Sequence, residues 1–185
     1  AQQVNVSDQD LASHRLQGSI ELVFINGSFS EELSGLPADL PKGFSVVPVS
    51  QALNSDLAHD VQNILEYEVS EEEDVFETLN KSSFRDGAFI KVAKGAYSET
   101  PIHILNFSSA EQSSVNFSRH LIYLEEGALA TVIETCVDRE GEVKKINNIM
   151  TDIVLQERSV LTYSRLQNES EESVNVSALR ARLAA

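Results

Sequence analysis

The side chains that could ligate a metal, carry a proton or attack an electrophile are few in this chain. The histidines are His14, His59, His103 and His120, and the single thiol is Cys136. No two histidines lie at the spacing of a chelating pair on one helix or strand. His103 sits in Pro101-Ile102-His103-Ile104-Leu105, opposite in parity to the two isoleucines. His120 follows Arg119 at the start of an apolar run. If their strands were neighbours, the two imidazoles could meet and hold iron or zinc. A lone strand histidine is more often a satisfied or surface residue, and that reading outweighs the metal. Cys136, in Ile133-Glu134-Thr135-Cys136-Val137, has no histidine near it to withdraw its proton, so a buried, inert thiol is expected.

The carboxylates read as structural. Glu71-Glu72-Glu73-Asp74 opens a helical pattern, where acidic residues suit the helix dipole. Asp138, Glu140 and Glu142 flank Gly141, which marks a turn rather than the paired acids of a glycosidase. His120 followed by Glu125-Glu126-Gly127-Ala128 is similar to the tail of a cupin motif, but the His-x-His pair of that family is missing. The chain has no Gly-x-Ser-x-Gly elbow, phosphate loop, dinucleotide fingerprint or calcium loop. No catalytic, cofactor-binding or metal-binding residue is therefore assigned.

The bulk composition narrows the partners. A formal charge of -15 lacks the basic footprint that phosphate backbones and anionic membranes require, so neither nucleic acid nor membrane is expected. Hydrophobic residues make up 42% and charged residues 23%, which describes a globular chain. With 6% aromatics and no Trp, the core must be aliphatic. No apolar run reaches the ~20 residues of a membrane span. The lone cysteine and the polar first residues suggest a reducing, cytoplasmic setting.

Two textures divide the chain, at about residues 1–82 and 83–185. The first is a small α+β region. Asn26-Gly27 between Ile20–Ile25 and Ser28–Ser30 predicts a hairpin near 20–30, because a type I′ turn needs positive φ at both central residues. Phe44–Val49 reads as an edge strand, since Pro48 cannot donate to a ladder. Leu53, Leu57, Val61 and Leu65 recur every four residues and predict a helix near 50–65, with another near 71–80. The second texture is a series of about seven strands: 88–93, 101–107, 119–124, 128–137, 146–155, 160–166 and 174–179. Their connections are short and polar, such as Lys94-Gly95, Glu126-Gly127 and Glu157-Arg158-Ser159. Such a series reads as a sandwich, a barrel or a β-solenoid. Apolar residues fill both parities in Leu121-Ile122-Tyr123-Leu124 and Ile153-Val154-Leu155, as expected where both faces of a strand are covered.

Three blocks carry a resemblance. They are Leu22–Phe29 with Leu33-Ser34, Asp86–Gly95 running to Pro101–Ile104, and Arg119–Ile122 with Glu126–Ala128. In order and spacing they resemble the SufB/SufD family of iron–sulfur cluster assembly proteins, on its SufD side, over roughly residues 20 to 182. The resemblance implies a mainly β fold, a right-handed parallel β-helix preceded by the small α+β region. It implies a non-catalytic scaffold subunit of a SufBCD-type complex that aids iron acquisition and cluster formation. Its partners would be a SufB-like subunit and a SufC-like ATPase, with a homodimer of the isolated subunit as a further assembly. No cofactor would be bound by this chain itself, although the full complex would handle iron or a cluster. The family continues beyond the segment matched, so the chain is expected to be a fragment whose last rung is open to self-association. The readings set against this one are a β-helix enzyme acting on carbohydrate and a metal-binding β domain using His103 and His120.

Overall fold

A computed structural model describes residues 6–66, 74–109, 113–139 and 143–184. Ten strands and four helices follow in the order α1 (Asp8–Leu11), β1 (Ile20–Ile25), β2 (Ser28–Phe29), β3 (Phe44–Pro48), α2 (Val49–Ala52), α3 (Ala58–Leu65), α4 (Val75–Ser83), β4 (Ala88–Val92), β5 (Ile102–Ser108), β6 (Ser114–Leu124), β7 (Leu129–Asp138), β8 (Lys145–Leu155), β9 (Val160–Asn168) and β10 (Ser173–Leu183). The fold is mainly β, with two five-stranded mixed sheets. One runs β2-β1-β5-β7-β9 and the other β10-β8-β6-β4-β3.

From β4 to β10 successive strands alternate between the two sheets. Each pairs in parallel with the strand two places later: β4 with β6, β5 with β7, and so on to β8 with β10. Paired residues are separated by 32 positions for Phe89 and Leu121 and by 28 for Lys145 and Ser173. Parallel neighbours cannot be joined by a tight turn, so the chain uses the opposite sheet as its return path. All seven strand segments read from the sequence are present.

The segment before residue 83 closes one end of both sheets. β1 pairs in parallel with β5, and β2 folds back on β1 around Asn26 (φ 52) and Gly27 (φ 78), the positive angles that a type I′ turn requires. β3 lies antiparallel against β4 at the sheet edge, where Pro48 is tolerated. Two glycines permit this close packing. A Cβ on Gly27 would stand 2.5 Å from the Phe117 carbonyl oxygen, and one on Gly87 only 1.8 Å from that of Arg119.

The core lies between the sheets. Leu22 and Phe24 (β1), Ile102 and Ile104 (β5) and Val132 (β7) face Ile90 (β4), Ile122 and Leu124 (β6) and Ile153 (β8). The outward parity is also covered. Phe89, Leu121 and Val154 lie under Val49, Ala52, Val61 and Ile64 of α2 and α3. Leu11 of α1 packs on Val23, Leu105 and Val137 on the other sheet. This explains the apolar residues on both parities of β6 and β8.

The helical reading needs two corrections. The stretch 50–65 is not one helix but α2 and α3, broken over residues 53–57. Ser55 makes the break by local side-chain bonds: its hydroxyl donates to the Ala52 carbonyl and accepts from the Leu57 amide. Leu53 is therefore exposed, and the buried positions are Val49, Ala52, Val61 and Ile64. On α4, Asp74 caps the helix by accepting from the Phe76 amide. The buried residue there is not apolar but Asn80, whose amide donates to Ser118 O, Asn148 O and Asn148 Oδ1 at 3.0–3.1 Å. Val75, Phe76 and Leu79 remain exposed. Glu71, Glu72 and Glu73 lie outside the described residues.

The glycine geometry gives a direct test. Gly87→Ala should lower stability by about 2–3 kcal/mol, because the Arg119 backbone has no room to retreat. Gly35→Ala, whose Cβ would make an ordinary 3.6 Å contact with Glu21 Cβ, should change it by less than about 0.5 kcal/mol. Urea midpoints of the two variants check this, and equal losses would refute it.

Candidate functional site inside the sheet stack

The space between the sheets is divided. Toward the turns at 94–95, 126–127 and 157–158 it is aliphatic. Toward the opposite ends of the strands the inward positions become polar: Asn106 and Ser108 on β5, Glu134, Cys136 and Asp138 on β7, His120 on β6, Asn147 and Thr151 on β8. All of these are buried. The change is not level across the sheet, since Ile104 lies opposite Glu134 and Phe24 opposite Asn106.

Glu134 is the centre of this polar half and is fully buried. Its Oε2 accepts from Thr151 at 3.1 Å and from the Tyr163 hydroxyl. The Arg165 guanidinium lies 3.7 Å from Oε1, and the Asn106 amide 3.4 Å from it. Burial pushes the carboxyl pKa up. The charges of His120, when protonated, and Arg165, with the two hydroxyl donors, pull it back below the usual glutamate range. Burial holds His120 itself below the usual histidine value and so neutral at pH 7. The permanent partner of the carboxylate at that pH is thus Arg165.

His120 and His103 do not meet. His120 Nδ1 accepts from the Ala88 amide at 3.0 Å and Nε2 lies 3.2 Å from the Asn106 amide, inside the stack. His103 is on the outer face of the other sheet. Its Nδ1 is 2.8 Å from Glu21 Oε2 and its Nε2 2.9 Å from Thr135 Oγ1, with Arg15 completing the Glu21 pair. All four ring nitrogens are engaged, and among the described residues no three His, Cys, Asp or Glu side chains converge on a metal position.

Cys136 is buried, 3.6 Å from Glu134 Oε1 and 3.5 Å from an Arg165 nitrogen. Burial first, then the Glu134 charge, pushes its thiol up to about 12. The expectation of an inert thiol fits this environment. Asp138 is placed differently from the sequence reading. It is no turn residue but the last of β7, ion-paired with Lys145 at 2.8 Å and accepting from Ser170 and Ser173. Glu140, Gly141 and Glu142 lie outside the described residues. The polar file itself was missed from the sequence, because its members are some 30 positions apart. The available signal was the switch from Ile to Asn, Ser, Glu or Cys at inward parity late in β5 and β7.

Comparison with known proteins adds an independent line. Residues 106–185 match the family model described as the SufBD core domain of the SUF system for FeS cluster assembly. The chain is similar to an iron–sulfur cluster assembly SufBD family protein of Synechocystis sp., 28% identical over 165 residues, covering 84% of this chain and 35% of that protein. It is 26% identical over 186 residues to the chloroplastic protein ABCI7 of Arabidopsis thaliana, covering 92% and 38%. To the iron–sulfur cluster assembly protein SufB of Bacillus subtilis it is 26% identical over 101 residues, covering 55% and 22%. The chain spans about a third of the length of the first of these relatives. Both kinds of match place the likeness of this chain with the SufBD proteins.

Two measurements test the site. Thiol reagents at pH 8 should modify native Cys136 no faster than the chain unfolds, since a thiol near 12 is only about one part in 10⁴ thiolate there; rapid stoichiometric labelling of the folded protein would contradict the burial. Glu134→Gln should cost about 2–3 kcal/mol at pH 7 by leaving Arg165 without its counter-charge. A carboxyl held below its unfolded value contributes stability that is present above about pH 4.5 and lost as the pH falls through its folded value. The gap between wild type and variant, read from urea midpoints, should therefore be constant above pH 5 and shrink below pH 4.

Proposed function

We propose that this chain is a SufD-type segment of an iron–sulfur cluster assembly scaffold, and that its two sheets are two faces of a right-handed parallel β-helix whose rungs each give one strand to either sheet. The observation that carries the reading is the coincidence of the winding with the family match. The segment 106–185 that resembles the SufBD core falls in the stretch from β4 to β10 in which strands alternate between sheets and stack in parallel at intervals of 28–32 residues. The relatives include a SufB, so the SufD branch rests on the three sequence blocks.

The role fits a non-catalytic subunit of the cytoplasm or an organelle stroma. The polar groups that could do chemistry are spent on holding the stack together: Glu134 in its hydroxyl and guanidinium cage, His103 between Glu21 and Thr135, Cys136 with its proton. Iron or a cluster is then cargo handled with a SufB-like subunit and a SufC-like ATPase, in line with the name of the matched domain. No helix of the described residues is long and apolar enough to cross a membrane. A carbohydrate-active β-helix gains no support, because the sheet faces on which a sugar groove would lie are packed under α1, α2 and α3.

The test is co-purification. The full-length natural protein, tagged and isolated under anaerobic, reducing conditions, should bring down an ABC-type ATPase and a SufB-like chain. Deleting its gene should lower the activity of iron–sulfur enzymes while leaving metal-free enzymes unchanged. Recovery of the protein alone, with cluster enzymes unaffected, would refute the reading.

A further inference from the structure

The donor and acceptor count around Asn106 does not close among the described residues. Asn106 is buried in β5 at the centre of the polar half. One end of its amide lies 3.2 Å from His120 Nε2 and 3.4 Å from Glu134 Oε1. The other end, Oδ1, is buried without a partner among the described residues. Because the Ala88 amide donates to His120 Nδ1, the neutral imidazole carries its proton on Nε2. That proton favours the amide oxygen, whereas the Glu134 carboxylate favours the amide nitrogen. With the nitrogen toward this pair, Oδ1 is left without a donor among the described residues. An orphaned buried amide group costs about 1–3 kcal/mol.

Beside it lies a cavity of about 10 Å³, where Asn106, Ser108, Asn116, Ser118 and Asn147 supply the polar part of the lining and Phe24, Phe107 and Ile149 the apolar part. Ser108 and Asn116 both donate to Asn147 Oδ1, at 2.7 and 2.9 Å, so these groups are held in place around the space. None of the lining residues is ionised, which makes the space unsuitable for an ion. Its size is about that of one water and nothing larger.

We propose that this cavity is a binding site for one resident water molecule, which completes the hydrogen bonding of Asn106 and ties β5 to β6 and β8. Water is donor and acceptor at once, so it satisfies the amide in either orientation. Its neutral polar surroundings offer the two to four partners that an internal water takes. Its place is next to the Asn26-Gly27 turn, since Gly27 also borders the cavity, so it sits where the end hairpin, β5 and β6 converge.

A high-resolution crystal structure of the chain tests this. One solvent peak is expected within about 2.7–3.2 Å of the Asn106 amide and in reach of Ser118 or Asn147. A clear map with an empty cavity, or with a side chain closing it onto Asn106, overturns the proposal. In solution, oxygen-17 relaxation dispersion should report one long-lived internal water that disappears in Asn106→Leu. Should that variant not fold, Ser118→Val, which narrows the cavity from the opposite wall, should give the same loss. Retention of the signal in a folded variant of either kind overturns the assignment to this site.

Discussion

The structure depends on a single constraint, the in-register parallel pairing of each strand with the strand two places later. Once Phe89 is opposite Leu121 and Leu129 is opposite Val160, the parity of each strand is fixed relative to its neighbours. An inward residue then stacks on an inward residue through the whole sheet. A slip of one position would send every aliphatic side chain of the core outward. The glycines at 27 and 87 serve this constraint, because the end strands could not approach β6 with a Cβ at those positions. The turns serve it too. Gly95, Gly127 and Arg158 hold successive turns at positive φ, and each turn donates backbone hydrogen bonds to the next. Lys94, Glu126 and Arg158 form a ladder of ion pairs along them.

A slip by two positions would preserve parity, and here the polar half becomes important. Moving β7 by two residues against the opposite sheet would remove Glu134 from Thr151 and Asn106 and carry it toward the aliphatic half, near Ile122 or Ile153. An unpaired buried carboxylate costs several kcal/mol, far more than the loss of one sheet-end hydrogen bond. The polar file is therefore better understood as a specifier of register than as a source of net stability. A buried ion pair often contributes little beyond what apolar side chains of the same volume would, yet breaking it is expensive.

This division explains what could be read from the sequence. The strands were legible because each is a short aliphatic run bounded by Gly, Asn or charged residues. The Asn26-Gly27 turn was legible because its backbone angles demand those residues. The helix near 50–65 was misread because Leu53, Leu57, Val61 and Leu65 do lie at helical spacing. What breaks the helix is the Ser55 hydroxyl, a local competitor for backbone groups that periodicity does not weigh. Asn80 was invisible for a different reason. A polar residue amid Val75, Phe76 and Leu79 looks like the solvent side of the helix, and only the Asn148 backbone beneath it shows that it faces the sheet. The polar file is non-local by construction, since Asn106, Glu134 and Arg165 occupy adjacent strands of one sheet only because of the winding.

The same winding bears on where any chemistry with a partner could occur. Charged and nucleophilic groups inside the stack are engaged with one another, and the large outward faces of both sheets near β1–β8 lie under helices and the α1 segment. The surface that differs is the β9 and β10 edge. Both strands end their sheets, both alternate between exposed and half-buried positions, and Leu166, Val174 and Leu183 stand open. Glu134, His103 and Cys136, by contrast, are buried among their own neighbours, because a buried polar group is retained only where partners on adjacent strands satisfy it.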